Sequence, residues 1–344
     1  MINVADYVTA AAEKVDPAVW CYFEGGAGDE VTLRANVAAY GRWRFRPRML
    51  VDVSDVTTET TLLGSRVSMP LGVAPFAMQR LIDPEGEVAT ARAAAAAGTV
   101  MCVSTLTTST HAEIAGAGEG PRWLQLYVLS DRQRTLDHMH EAREAGYSAL
   151  VLTVDLPYVG RRERDVRLGF QNPPPDLRLP YADLFATSPA LSWRDLEWIR
   201  GEMTLPLVIK GILTREDAVL AVEHGADAVW VSNHGGRQLD GVAAGIDALP
   251  EVAEAVGGRC EVYVDGGVRR GGDVLKGLAL GADAVFAARA FACALAVDGE
   301  KGVAHALSLL RDEIALGLGL LGCTSPSEVT RAHVEAALPY DFPA

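Results

Sequence analysis

The sequence predicts an α/β fold, a closed (β/α)8 TIM barrel with an N-terminal helical extension and a lid insertion after the fourth strand. Short apolar runs recur along the chain, each followed by an Ala-rich amphipathic stretch with apolar residues at helical spacing. Strands alternating with helices in this way imply a parallel sheet, buried on both faces. Eight such runs occur, the number that closes a barrel. The phrases EAREAGYSALVLTVD, AVEHGADAVWVSN and GLALGADAVFAAR share one order of helix, glycine stop and strand, the trace that a repeated βα unit leaves.

Taken in chain order, residues 1–65 form the extension, helical up to Asn36 and extended between Arg44 and Val51. The barrel occupies 66–330, with strands at 71–74, 99–103, 123–127, 149–154, 207–210, 228–232, 261–265 and 284–287. Stretches such as 85–97 and 215–224 supply the helices between them. From Val154 to Leu207 the interval is too long for one βα connection, and it holds Pro173-Pro174-Pro175 and Pro180 before a helical stretch at 193–200. Residues 163–204 are therefore read as an insertion over the barrel mouth that can act as a lid, and 331–344 as a C-terminal tail. All 344 residues are read as a single domain, because 49% hydrophobic residues and 34 glycines suit one large sheet core with many tight turns.

A formal charge of −14, from 45 acidic against 31 basic residues, repels phosphate backbones and anionic lipid. Neither nucleic acid nor membrane is expected as a partner, while a local cluster of Arg and Lys can still hold a small anionic substrate. Cys21, Cys102, Cys260, Cys293 and Cys323 are odd in number and widely spaced, without a CxxC pair, and read as free thiols in a reducing compartment with no metal site. The opening MINVADYVTAAAEKVD has no apolar leader core, no run of eighteen apolar residues follows, and Phe342-Pro343-Ala344 is not a peroxisomal tripeptide. A soluble cytoplasmic protein is expected.

Polar side chains recur at the carboxyl ends of the predicted strands: Ser104, Gln125 and Tyr127, Thr153 and Asp155, Lys210, His234 and Arg237, Asp265, Arg289. Singly, each reads as a helix cap or a loop charge. Seven strand ends together point to the rim where barrel active sites assemble. After the last two strands, Gly266 and Gly267 allow backbone N–H groups close to an anion, with Arg269 and Arg289 as clamps, where barrel enzymes frequently bind phosphate. Within SNHGGRQLD, His234 offers a base of near-neutral pKa beside Arg237, which can grip a carboxylate. Asp155, nearby in the ring, can hold the imidazole.

These residues resemble the FMN-dependent 2-hydroxy acid oxidases and dehydrogenases. SNHGGRQLD, APFAMQ, QLYV, LTVD followed by GRRERD, VIKG and DGGVRRGGD occur in the family's order, from about Tyr7 to about Thr330. The resemblance implies FMN as cofactor and oxidation of an (S)-2-hydroxy acid to the 2-keto acid. It implies that His234 removes a substrate proton with Asp155 supporting the imidazolium, that Arg162, Arg237 and Tyr22 bind the carboxylate, and that Tyr127 hydrogen-bonds the substrate oxygen. Lys210 would stand beside the flavin, Phe76 and Ala77 against it, and Ser104, Gln125 and Thr153 along its polar edge. Asp265 would meet the ribityl chain, and the phosphate would lie among Gly267, Arg269, Ala288 and Arg289. Hydride transfer and C2–H abstraction both fit these roles and stay open. O2, giving H2O2, is the expected acceptor, with a dehydrogenase using a quinone or other non-oxygen acceptor as the alternative. The resemblance also implies a homotetramer.

This chain departs from the family pattern in two places. Ala288-Arg289-Ala290 stands where members commonly have Gly-Arg-Pro, placing a methyl near the phosphate. Leu106 stands where glycolate oxidases carry Trp and resembles hydroxymandelate oxidases, which enlarges the pocket beside the substrate side chain and favours a bulky or aromatic, mandelate-like acid. Tyr158 is expected to add an aromatic wall.

Overall fold

The computed structural model describes residues 1–181 and 187–337; residues 182–186 of the predicted insertion and 338–344 of the predicted tail, with Phe342-Pro343-Ala344, lie outside the described residues. Eight parallel strands form a closed barrel: β1 (Leu71–Val73), β2 (Met101–Val103), β3 (Arg122–Leu126), β4 (Ala149–Thr153), β5 (Leu207–Ile212), β6 (Ala228–Val231), β7 (Glu261–Asp265) and β8 (Ala284–Ala287). Each pairs with its neighbours in chain order, and β8 closes on β1 through Val285 opposite Leu71. Every predicted strand is present, its ends displaced by two residues or fewer.

Burial explains why apolar runs mark these strands. Every residue of β1, β2, β4, β6 and β8 is buried, because one face meets the barrel interior and the other meets the helices. Between strands, local chemistry sets the helix ends. Glu87–Ala97 is Ala-rich and stops at Gly98, whose left-handed φ of 68° lets its N–H reach back to Ala94 and Ala95. Arg215–Glu223 begins at Thr214, whose hydroxyl accepts from the Asp217 N–H.

The lumen is filled by Trp123, Trp230, Tyr263 and Phe286, with Phe286 and Trp230 ring centroids 4.1 Å apart. A Cβ on Gly72 would lie 2.3 Å from the Phe286 ring, so β1 needs glycine there. At the amino end, the hairpin Thr60–Leu62/Ser65–Val67 adds Leu62 and Val67 to the lumen cluster. Leu63 donates to Glu261 at the start of β7, which fixes the hairpin as a floor and leaves the carboxyl end as the mouth.

Helices Val4–Lys14, Pro17–Glu24 and Val31–Ala38 make up the extension, the second capped by Asp16 with Pro17 in its first turn. Strand Trp43–Phe45, overlapping the start of the stretch read as extended, pairs antiparallel with Val334–Ala336 near the other end of the chain. Asn36 and Asn233 exchange side-chain hydrogen bonds of 2.8 and 2.9 Å, tying the extension to the loop after β6. The insertion contains helices Glu163–Leu168 and Asp195–Glu202. After β8, the helical stretch Arg289–Leu321 is broken at Asp298 and Gly299, whose dihedrals are non-helical. Among the described residues all five cysteines are free thiols, no helix is long and apolar enough to cross a membrane, and no group of three or more His, Cys, Asp or Glu is placed to hold a metal.

Candidate active site

A cleft with about 1090 Å3 of empty space, partly open to solvent, occupies the barrel mouth. Every residue singled out from the sequence for catalysis, substrate or cofactor lines it except Tyr158 and Asp155, of which Asp155 stands behind His234. Tyr158 is a correction: the residue is 76% exposed and outside the cleft lining. Spacing along a loop does not specify side-chain direction, and here the Tyr158 carbonyl faces inward, accepting from Gln238, while the ring faces out.

His234 has a φ of 58°, a left-handed conformation that is uncommon outside glycine and is held here by its N–H to Ser232 Oγ at 3.1 Å. Its Nδ1 is 2.8 Å from Asp155 Oδ1. Burial pushes the Asp155 carboxyl up, but His234 and then Lys210 more than offset this and hold it below its ordinary value. An ionised carboxylate only accepts, so Nδ1 carries the proton and Nε2 keeps its lone pair. Burial lowers the His234 pKa; Asp155 raises it and Lys210 and Arg162 lower it, and the net position is below the ordinary value. The imidazole is therefore neutral at pH 7 and able to accept a proton. Gly211, at a φ of 113°, makes room for this pair, since a Cβ there would lie 2.8 Å from that of Asp155.

The same cleft holds two guanidinium groups. Arg237 lies 4.8 Å and Arg162 5.9 Å from the centre of the Tyr22 ring, which stacks on Phe170 of the insertion at 5.0 Å. Arg237 Nη1 donates to the carbonyls of Tyr22 and Gly25, while the buried Nε of Arg162 has no partner. Burial, and then repulsion from Arg162, pushes the Arg237 pKa down to about 9. A buried and a partly buried cation with an unused donor form a site that a carboxylate would relieve. Tyr127 is buried beside them; desolvation, and then the charges of Asp155 and Tyr22, hold its phenol protonated well above the usual range. Leu106 packs with Tyr127, Leu129 and Leu156 into an apolar wall.

Along the cleft floor, Lys210 Nζ donates to Ser232 Oγ at 2.8 Å and lies 3.3 Å from Asp265 Oδ2. Burial lowers its pKa, but Asp265 and Asp155 more than reverse this, so the ammonium stays charged. Gln125 Oε1 accepts from Ser104 Oγ and the Thr105 N–H, whereas Gln125 Nε2 and Thr153 Oγ1 are buried without partners. Each such orphan costs about 1–3 kcal/mol, so this edge fits a bound molecule rich in hydrogen-bonding groups, as a flavin ring is. At the far end Gly266 and Gly267 have φ of 95° and 81°, and a Cβ on Gly267 would lie 2.0 Å from Asn36 O. Arg289 donates to the Phe23, Gly25 and Gly235 carbonyls, and Ala288 lines the cleft beside it. Glycine N–H groups with Arg269 and Arg289 make a cradle suited to phosphate.

Sequence reasoning missed four residues. Ser232 bridges Lys210, Asp265 and the His234 N–H, and its place in SNHGGRQLD could have revealed it. Glu24 approaches both Arg269 and Arg289 at 3.7 Å with its Oε2 buried and without a hydrogen bond, Phe170 carries the Tyr22 ring, and Asn172 lines the cleft. These three come from the extension and the insertion, where no strand period marks them.

Residues 11–336 match the family model described as FMN-dependent dehydrogenase. Over 350 residues the chain is 47% identical to glycolate oxidase 1 of Zea mays, covering 96% of this chain and 95% of the relative. Over 352 residues it is 45% identical to glycolate oxidase of Spinacia oleracea, covering 97% and 95%. Two solved structures are also similar: mandelate oxidase, with a TM-score of 0.93, 44% identity and coverage of 98% of this chain and 99% of that one; and mandelate oxidase with (S)-2-phenylpropionate, with a TM-score of 0.92, 45% identity and the same coverage.

Proposed function

The chain belongs to the FMN-dependent dehydrogenase family, and from that membership we propose that it is an (S)-2-hydroxy acid oxidase acting on bulky or aromatic, mandelate-like acids and passing the electrons to O2 as H2O2. One observation carries the reading: the neutral His234, backed by Asp155, lines the same cleft as the guanidiniums of Arg162 and Arg237. FMN, when bound, supplies the two-electron acceptor. Ser104, Gln125 and Thr153 would hold its ring edge, Phe76 and Ala77 its face, Asp265 its ribityl chain, and Gly267, Arg269, Ala288 and Arg289 its phosphate.

The chain's own residues then do the following. Arg162 and Arg237 seat the substrate carboxylate, and Tyr22 beneath them fixes where they point. Tyr127, a protonated phenol, donates to the substrate oxygen that becomes the carbonyl. His234 Nε2 accepts the proton the substrate releases, and Asp155 stabilises the imidazolium that results. Lys210, whose ammonium Asp265 and Asp155 keep charged, would place a positive charge beside the flavin. Holding acid and base in register supplies much of the rate.

Leu106 supports the substrate class, because with Leu156 it offers an aliphatic surface to a side chain larger than hydrogen. The mandelate oxidase neighbours agree with that choice, and the glycolate oxidases supply the competing substrate. Steady-state kcat/KM is expected to favour (S)-mandelate over glycolate, with one H2O2 formed per acid oxidised. A preference for glycolate would overturn the pocket argument, and dye reduction without peroxide would overturn O2 as acceptor. Free thiols support a reducing cytoplasm, and the exposed Met49, Leu50, Leu316 and Leu320 support association of copies into the expected homotetramer.

A further inference from the structure

The proton-accepting pair and the carboxylate clamp are each split between two loops. Asp155 and Arg162 come from the loop after β4, His234 and Arg237 from the loop after β6. In the barrel these strands do not pair with each other, because β5 runs between them. Sheet register therefore leaves the spacing of the two loops unset, although the His234–Asp155 contact depends on it.

Gln238, one residue past Arg237, joins them directly. Its Nε2 donates to Asp155 O at 2.9 Å and to Tyr158 O at 2.8 Å, and its Oε1 accepts from the Gly160 N–H at 3.2 Å. One amide thus engages three backbone groups of the β4 loop, all lying between Asp155 and Arg162. Gly160 completes the contact: a Cβ there would lie 2.4 Å from Arg237 O and 2.7 Å from Gln238 Cα, so the loops meet backbone to backbone. Gln238 does not line the cleft.

We propose that Gln238, with Gly160 as its seat, is a positioning residue that straps the β4 and β6 loops together and sets the geometry of both the His234–Asp155 pair and the Arg162–Arg237 clamp. The inference rests on the oxidase reading for its kinetic consequence. Without the strap Asp155 drifts from His234, and its raising effect on the imidazole weakens. The acid limb of the kcat/KM profile then moves to lower pH. The clamp loosens at the same time, so KM rises while kcat falls.

The test is Gln238→Met, which keeps the side-chain length and removes all three hydrogen bonds. In flavin-loaded protein kcat is expected to fall about tenfold or more, the scale of a sub-ångström to ångström misplacement. KM for (S)-mandelate is expected to rise, the acid limb to shift down, and the hydrogen-bonded His234 Nδ1 proton resonance, visible by NMR in the wild type, to disappear. Gly160→Ala is expected to give the same signature by wedging the loops apart. If Gln238→Met does not accumulate as folded protein, Gln238→Glu, which keeps the acceptor and loses both donors, carries the same test. A variant with reduced thermal stability but an unmoved limb, unmoved KM and an intact Nδ1 resonance overturns the strap. A wild type that oxidises no 2-hydroxy acid removes the oxidase reading instead, and the resonance still decides the strap.

Discussion

At the residue scale the site works by shifted protonation, and its predictions follow from the direction of each shift. His234 is held below the ordinary histidine value by burial, so it is already neutral at pH 7 and becomes protonated only at lower pH. The rate should therefore be level near neutrality and fall as pH drops through a value below about 6.5; an acid limb above that value would contradict the assignment. His234→Gln is expected to keep bound flavin and lose about 10²–10⁴-fold in the rate of flavin reduction, measured by rapid mixing under anaerobic conditions. Glu24 stands 3.7 Å from both Arg269 and Arg289 with a buried oxygen that has no hydrogen-bond partner, so it would compete with phosphate for the same cations. Glu24→Gln should tighten FMN binding several-fold in a titration of apoprotein, whereas weaker binding would mean that Glu24 orients the arginines. The strand-end residues were legible in the sequence because a parallel barrel delivers every strand's carboxyl end to one rim. Tyr158 was misread because its direction depends on Gln238 holding its carbonyl, a contact across 80 positions of the chain.

At the element scale the eight strands were legible because burial on both faces leaves uninterrupted apolar runs, and the helices because Gly98 and Thr214 punctuate them. Pairing of Trp43–Phe45 with Val334–Ala336 was not legible, since three-residue strands from opposite ends of the chain carry no period to read. The insertion shows how an element without a strand pattern is fixed by side chains. Its Tyr181 stacks on His111 and His138 at 4.3 and 4.6 Å, joining it to helices His111–Ala115 and Arg132–Glu144. Both imidazoles are buried with all four ring nitrogens unpartnered. Burial pushes the His111 pKa down to about 4, and burial followed by repulsion from His111 pushes His138 well below its ordinary value. A folded-state pKa below the unfolded one means that the unfolded chain binds more protons at acid pH, so this contribution is intact above pH 6.5 and is lost as pH falls toward 4. The loss is on the order of 3 kcal/mol for His111 alone. Thermal melts should show the midpoint dropping between pH 6.5 and 4.5, less so for His111→Phe; equal slopes would show that the cluster does not set acid stability.

Across the whole molecule, the barrel brings to one mouth residues from the extension, eight strand ends and the insertion, which is how Tyr22, stacked on Phe170, comes to meet Arg162 and Arg237. A net charge of −14 leaves the arginine pair as a local inversion of the surrounding potential, which draws small anions into the cleft. Raising ionic strength should therefore raise KM for an anionic acid more than it lowers kcat. All of these roles converge on electrons leaving a 2-hydroxy acid inside this cleft. The most direct measurement is the visible spectrum of the FMN-loaded protein, titrated anaerobically with (S)-mandelate. The flavin absorbance should bleach to completion at one equivalent and return on admitting air. A spectrum unchanged by (S)-mandelate, (S)-lactate and glycolate alike would contradict the account.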